Sequence, residues 1–494
     1  MSAFLRTSYW LVLIAGAIAQ AFLGADPVVL GVMVVICCFE PAIVRGQPMR
    51  SSDVMMLGLI MYSGYFPILI KTALGQAVDE NLTDPVNSSI VHFLGFASVF
   101  VGYLLSYRFT AVSPFISNLA AVLTDDKKLK ACAVVCFPIG AAVTVAHIIL
   151  RPAASQVSVD AGDSVGFLGN FSFIANFALI CQAAFAFGLG GGRRRGMVFL
   201  SFMLLTFMVL SVLGNVKYIF VSCILSIIFI IIFSRHTVNV AKEAVVGAII
   251  FFVLAFYISP IIHLSRDAST TQTISERVEL ALGWLDRVDY NPFELQERAE
   301  AKLAVYGSFR DPSLNYLFPS TANLDRFCII QPVDQVVSRS EFFGIQGFES
   351  FQGLASSILP SFLVDKLAAS SPDFIAWYYG IRTPGVVGRP VIGLTASSFA
   401  VGGYPAAIFL PGVIMFGAFY LVNRFSGPLK GNVVGVFMLG VCLGLIEKEA
   451  AEIIAFFARQ FLIVLAFLFI VRQALGLVTA QSVSAMPTRV SLKR

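Results

Sequence analysis

Runs of about 20 apolar residues recur along almost the whole chain, and they constrain the fold more than any other feature. A helix needs about 20 mostly apolar residues to cross roughly 30 Å of hydrocarbon. The chain has 494 residues, of which 57% are hydrophobic and only 13% are charged. A soluble domain carries about a quarter charged residues, so lipid must solvate much of this surface. The apolar runs lie at about 8–24, 27–44, 53–74, 88–108, 130–150, 165–190, 196–213, 215–233, 242–263, 402–423, 431–446 and 454–478.

Positive charge alternates between the connections that join these runs. Eighteen of the 34 Lys and Arg residues fall in alternate segments, starting with Arg6, and only four fall in the short segments between them. The positive-inside rule therefore places both termini in the cytoplasm. Because these charges serve topology, the net charge of +5 does not indicate nucleic acid. The topology depends on a tight turn at Gly214-Asn215, since losing it would move every later loop to the other side.

The sequence thus predicts an all-α polytopic membrane protein with about 12 transmembrane helices and one large, partly helical loop on the non-cytoplasmic side. Residues 1–263 would form nine helices, residues 264–401 the loop, residues 402–478 three helices and residues 479–494 a cytoplasmic tail. A structureless loop of that length is uncommon in a compact protein. We therefore expect the 264–401 segment to have its own fold and a function.

Helical periodicity is visible inside the 264–401 segment. An amphipathic pattern over roughly 273–304 is broken by Asn291-Pro292, and a second helix follows over Phe293–Val305. The pattern is helical again from Asp325 to Val337. The cysteines show no metal-type spacing, and Cys328 alone falls in the loop. The sequence predicts no metal site, no disulfide framework and no cofactor.

Arginines and aromatic residues share this loop. Arg326 opens a predicted helix, Arg339 follows thirteen residues later, and Arg382 and Arg389 flank a glycine turn just before the chain re-enters the membrane. Guanidinium groups bind phosphate in a bidentate way, and aromatic faces stack on sugar rings. The loop therefore suits a lipid-linked, phosphate-bearing saccharide. The simpler interpretation is that each arginine is a solvated loop charge.

Two residues are the first candidates for a general base. His263 ends a predicted span at the outer surface, and histidine accepts a proton near neutral pH. Glu349 lies in a glycine- and aromatic-rich stretch and ranks first among the loop carboxylates. Arg459 lies inside the last apolar run, where ionisable residues are costly and are functional candidates. The rival bases in the loop are Asp325, Asp334, Glu341 and Asp365.

The loop and the span that follows it carry these motifs in order: Asp325-Arg326-Phe327, Val336-Val337, Gly344–Gly347 with Glu349-Ser350-Phe351, Ile358-Leu359-Pro360, Asp365-Lys366, Gly402-Gly403-Tyr404 and Pro411-Gly412. This order resembles bacterial Wzy-type polysaccharide polymerases. The resemblance covers roughly residues 325–425, together with the number of spans and the large outer loop. The Ile-Pro-Arg and Lys-Pro elements of that family are altered here, because Ser361 follows Pro360 and Leu367 follows Lys366.

The resemblance implies a metal-independent glycosyltransferase that polymerises lipid-linked oligosaccharide repeat units on the periplasmic side of the bacterial inner membrane. The donor would be carried by undecaprenyl diphosphate, and the partners would include membrane lipid and other polysaccharide export proteins. Two alternatives stay open, an O-antigen ligase and a transporter or flippase of polysaccharide or lipid-linked sugar. The implied roles are diphosphate binding by Arg326, Arg339, Arg382 and Arg389, and proton removal by Glu349 or His263.

Overall fold

The computed structural model describes residues 3–44, 48–150, 166–169, 171–187, 196–214, 217–233, 252–265, 274–308, 315–317, 325–359, 363, 369–385 and 390–484. The first part of the chain forms these helices: α1 (Ala3–Phe22), α2 (Pro27–Cys37), α3 (Glu40–Ile43), α4 (Ser51–Ala73), α5 (Pro85–Phe109), α6 (Pro114–Val122), α7 (Asp126–Leu150), α8 (Gly166–Gly169), α9 (Phe173–Phe187), α10 (Met197–Leu213), α11 (Lys217–Phe233) and α12 (Ser259–Ser265).

The second part is also helical in the described residues. Its helices are α13 (Ile274–Arg287), α14 (Pro292–Ser308), α15 (Ile330–Phe343), α16 (Leu354–Ile358), α17 (Ser371–Tyr378), α18 (Leu394–Ser426), α19 (Val433–Cys442), α20 (Ala450–Ala455) and α21 (Phe461–Ser484). Short 3-10 turns cover Asp325–Phe327, Gly347–Phe351 and Leu443–Glu447. Wider π turns interrupt α4 at Met61–Tyr65, join α20 to α21 at Phe456–Gln460, and precede α12 at Leu254–Ile258.

The protein is an all-α membrane protein. Within the described residues, five helical stretches are long and apolar enough to cross a bilayer, judged by length and composition: Ser51–Ala73, Pro85–Phe109, Asp126–Ile149, Leu394–Ser426 and Ala450–Gly476. Side chains on their outer faces, such as Val101 and Phe469, are apolar and exposed, as lipid contact requires. Each of the twelve predicted runs contains helix, although residues 242–251 of the ninth lie outside the described residues.

Helices α5 and α18 pack closely against each other. The backbone N–H of Gly412 donates to the hydroxyl of Ser98 at 2.8 Å. A Cβ atom added to Gly412 would lie 2.6 Å from the Ser98 carbonyl oxygen, and one added to Gly102 would overlap the Gly412 carbonyl. Small residues let the two backbones approach this closely, which is how membrane helices gain packing energy.

Helix α15 is fastened to the start of α5 by one buried carboxylate. Asp334 accepts hydrogen bonds from the backbone N–H groups of Thr83 and Asp84, both at 2.8 Å, and from the Ser88 hydroxyl at 2.9 Å. Nearby, the Tyr316 hydroxyl donates to the Val78 carbonyl at 2.6 Å. The 264–401 segment is therefore docked on the bundle rather than lying apart from it.

Several local predictions agree with the structure. The amphipathic segment forms α13 and α14, and Asn291 Oδ1 accepts from the backbone N–H groups of Phe293 and Glu294 at the start of the second helix. Helix α10 also ends where the tight turn is predicted, with Gly214 as its C-cap. Helix α18 begins at Leu394, and Gly402 and Gly403 have non-helical dihedral angles. The kink at these two residues, where the tenth span is predicted to start, separates two helical halves of α18.

Candidate functional site

Charged residues from the bundle and from the 264–401 segment meet around Tyr62, at the end of the bundle that carries this segment. We call this end the loop end. Phe327 packs against the rings of Tyr62 and Phe66, each with 5.3 Å between centroids. The Tyr62 phenol lies close enough to the Glu447 carboxylate and to Arg326 for both charges to act on it electrostatically. Tyr62, Arg326 and Glu447 are called the rim cluster below.

Local backbone structure explains how these side chains come together. Tyr62 lies in the π turn of α4, and π turns are frequent at functional sites because the extra residue redirects side chains. Arg326 lies in the 3-10 turn that leads into α15 and is exposed. Among the described residues, Arg326 makes no hydrogen bond or ion pair, so its five N–H donors can face a ligand.

The chain after the rim cluster carries further charge into the bundle. Lys448 pairs with Glu452 at 3.3 Å between Nζ and Oε2. Arg459 lies in the π turn Phe456–Gln460 and donates to the carbonyl of Ser357 at 3.2 Å. Arg459 thus links the last membrane helix to α16 of the 264–401 segment.

Glu449 is the most perturbed acid near this site. Its carboxylate is only 2% exposed and accepts from the backbone N–H groups of Ala451 and Glu452, both at 2.7 Å. Burial raises the pKa of Glu449 to about 7, and the repulsion by Glu452 adds to this, whereas the two hydrogen bonds and Lys448 oppose it. A carboxyl group with a pKa near 7 can exchange a proton at neutral pH.

A cavity of about 30 Å³ lies beneath the rim cluster, between the bundle and the 264–401 segment. It has room for about two water molecules. Ile446 and other apolar residues form most of its wall, and Ser63, His92 and Thr395 are the polar exceptions. His92 Nε2 lies 3.2 Å from the Ser63 carbonyl oxygen. His92 Nδ1 and Ser63 Oγ have no hydrogen-bond partner among the described residues.

The described contacts do not join Arg326 to Arg339 or Arg382. Arg339 lies in the second half of α15, whereas Arg326 lies in the 3-10 turn before that helix begins. Its guanidinium donates to the Tyr379 carbonyl at 3.0 Å. Arg382 follows in the same turn, where its backbone N–H donates to the Ala376 carbonyl. Arg339 therefore contacts the turn that holds Arg382, and Arg389 lies outside the described residues.

The two predicted bases lie in different surroundings. Glu349 is exposed on the Gly347–Phe351 turn, which packs against α17 and α18. His263 lies in α12, whose Ile261 and Leu264 pack into a separate apolar cluster with α13 and α14. The structure places neither residue in the rim cluster. Among the rival bases, Asp334 is committed to its three hydrogen bonds, and Asp365 lies outside the described residues.

Sequence reasoning missed Tyr62 and did not rank Glu447 or Glu449 among the site residues. A sequence signal existed for the two acids, because they stand in the Glu447–Glu452 run between two apolar helices. No sequence signal existed for Tyr62, because it is a single aromatic residue within an apolar run. Within the described residues, no group of three or more His, Cys, Asp and Glu side chains could hold a metal ion.

No protein-family model, no curated protein and no solved structure matches this chain. The candidate site is therefore defined by its own geometry. A guanidinium, a phenol and a carboxylate meet where the 264–401 segment covers the bundle, and a buried acid with a near-neutral pKa lies two residues further along the chain.

Proposed function

We propose that this protein is a membrane glycosyltransferase that extends a polysaccharide by transferring lipid-linked repeat units from a polyprenyl diphosphate. The observation that carries the proposal is the rim cluster. It places an arginine that has no hydrogen bond or ion pair with another described residue near a phenol on which a carboxylate also acts, at the membrane end of a docked segment. A lipid diphosphate would place its phosphates at this level while its chain stays in the bilayer.

The reaction needs one cation and one base. The acceptor hydroxyl oxygen forms a bond to the anomeric carbon, the bond from that carbon to the diphosphate oxygen breaks, and the electron pair leaves with the diphosphate. Arg326 would stabilise the charge that develops on the diphosphate. Glu447 would take the hydroxyl proton, and the Tyr62 phenol beside it would help to orient the carboxylate.

Binding of undecaprenyl diphosphate to the purified full-length protein in lipid nanodiscs tests the first half of the proposal. We expect Arg326→Ala to weaken binding at least 10-fold, since a charge-assisted contact contributes about 1.5–3 kcal/mol. Arg298→Ala is the matched control, because Arg298 is a similarly exposed arginine that pairs with Glu294 at 2.7 Å on α14. Equal affinity in both variants would remove Arg326 from the site.

Reconstitution with lipid-linked repeat units from a deletion strain tests the second half. We expect a ladder of products that grows by whole repeats, and we expect Glu447→Gln to abolish the ladder while leaving undecaprenyl diphosphate binding intact. Transfer only to an added lipid A core acceptor would indicate a ligase instead. Movement of the intact lipid-linked saccharide across vesicle membranes, without bond formation, would indicate a flippase.

A further inference from the structure

Four large apolar side chains stand exposed on a short stretch outside the membrane-spanning helices. Phe342 is 87% exposed and Phe348 is 83% exposed, and Phe343 and Ile345 between them are also exposed. We call these four residues the aromatic edge. Water-exposed surfaces rarely carry contiguous apolar patches unless something covers them.

The aromatic edge has a fixed backbone. The Tyr378 hydroxyl donates to the Phe343 carbonyl at 2.6 Å, and the Tyr379 hydroxyl donates to the Gly344 carbonyl at 3.3 Å. Gly344 has a φ of 76°, a conformation that side chains with a Cβ rarely adopt. The exposure of the phenylalanines is therefore built into the turn.

The aromatic edge continues the lipid-facing surface of α18. The Ile345 Cδ1 atom lies 3.7 Å from the position of a Cβ on Gly403, at the kink of that helix. The next residues of α18 carry exposed Tyr404, Phe409 and Val413, within a stretch that is long and apolar enough to cross a bilayer. Ile345 thus connects the aromatic edge to the helix that carries this lipid-facing surface.

We propose that the aromatic edge inserts into the leaflet at the loop end, just beneath the lipid headgroups. Aromatic residues are enriched at this depth of membrane proteins. Exposed Glu341 and Glu349 flank the edge, and their carboxylates would stay in the headgroup layer and limit how deeply it inserts. The occupant is phospholipid, and the inference does not depend on the proposed reaction.

Nitroxide accessibility in the full-length protein tests the insertion. Cys38 is the one exposed cysteine, so Cys38→Ser provides a background in which the other seven cysteines are buried. Spin labels are placed by Phe342→Cys and Phe348→Cys in nanodiscs of phosphatidylcholine and phosphatidylglycerol. Phe409→Cys on α18 is the lipid reference, and Glu300→Cys on the exposed face of α14 is the water reference.

Labels in the edge should collide readily with oxygen and be protected from a water-soluble nickel chelate. The depth derived from the two rates should lie between the values at Phe409 and Glu300. Nickel accessibility equal to that of Glu300 would overturn the proposal. Protection from both agents, with broadening from a second spin, would mean that another copy of the chain covers the edge, and this also would overturn it.

Discussion

Removing the Asp334 carboxylate should release α15 from the bundle. The carboxylate is 2% exposed and accepts three hydrogen bonds, two from backbone N–H groups of 83–84 and one from Ser88. Asp334→Ala leaves three donors without an acceptor, and each such loss costs about 1–3 kcal/mol. We expect the free energy of local opening of α15 to fall by about 4 kcal/mol. Because 1.4 kcal/mol corresponds to a tenfold change, the equilibrium constant for local opening should rise roughly 700-fold.

Hydrogen exchange measured by mass spectrometry reports this opening directly, because buried amides exchange through local opening. The peptide that contains Val336 and Val337 should lose roughly 700-fold in protection in Asp334→Ala. Asp334→Asn keeps one acceptor oxygen, so it should lose about 2 kcal/mol, or roughly 25-fold. Glu341→Ala, on the exposed face of the same helix, is the control and should change nothing. Protection within threefold of wild type in Asp334→Ala would refute the argument that this carboxylate fastens the helix.

Two further predictions concern stability in mixed micelles, measured by titration with a denaturing detergent. The pKa of Glu449 is about 7 in the folded protein, well above its ordinary value, so the folded state binds the proton more tightly. The stability linked to this proton should be fully present below the ordinary pKa and be lost, by about 3 kcal/mol, as the pH rises through 7. Glu449→Gln should remove that loss, and an unchanged pH profile would contradict it. Gly412→Val should cost about 1–3 kcal/mol, because its Cβ would lie 2.6 Å from the Ser98 carbonyl oxygen. The same change at Gly417, where no atom lies within 4 Å of an added Cβ, should cost little, and equal costs would show that the close approach is not the cause.

Structural features that depend on residues close together in the sequence could be predicted. Apolar runs of span length predict the membrane helices, because lipid selects composition locally. Asn291-Pro292 predicts the break between α13 and α14, because the asparagine caps the second helix and proline suits its first turn. The apolar run predicts a span from about residue 402, and α18 kinks at Gly402-Gly403. The helical stretch from Leu394 to the kink is less apolar, and it packs against α15 and α5, which are distant in the sequence.

The candidate site could be predicted only in part. Arg326 stands out in the sequence as a loop arginine, but Tyr62 and Glu447 both lie more than 100 residues away from it in the sequence, in separate helical elements. Arg339 has the same chemistry as Arg326, yet its guanidinium donates to the Tyr379 carbonyl. Which arginine faces a ligand is decided by the tertiary structure, and spacing alone does not encode it.

The π turns at Met61–Tyr65 and Phe456–Gln460 determine which way the side chains on either side of them point. A π turn holds one residue more than the regular helix would, so the side chains before and after it follow two different angular phases, offset by about 100°. Deleting a single residue at Met61–Tyr65 or at Phe456–Gln460 would restore a regular pitch without breaking the helix. Such a deletion would rotate the side chain of Tyr62 or Arg459 about the helix axis toward different neighbours. The membrane span would remain intact, but the contacts of these side chains at its end would change.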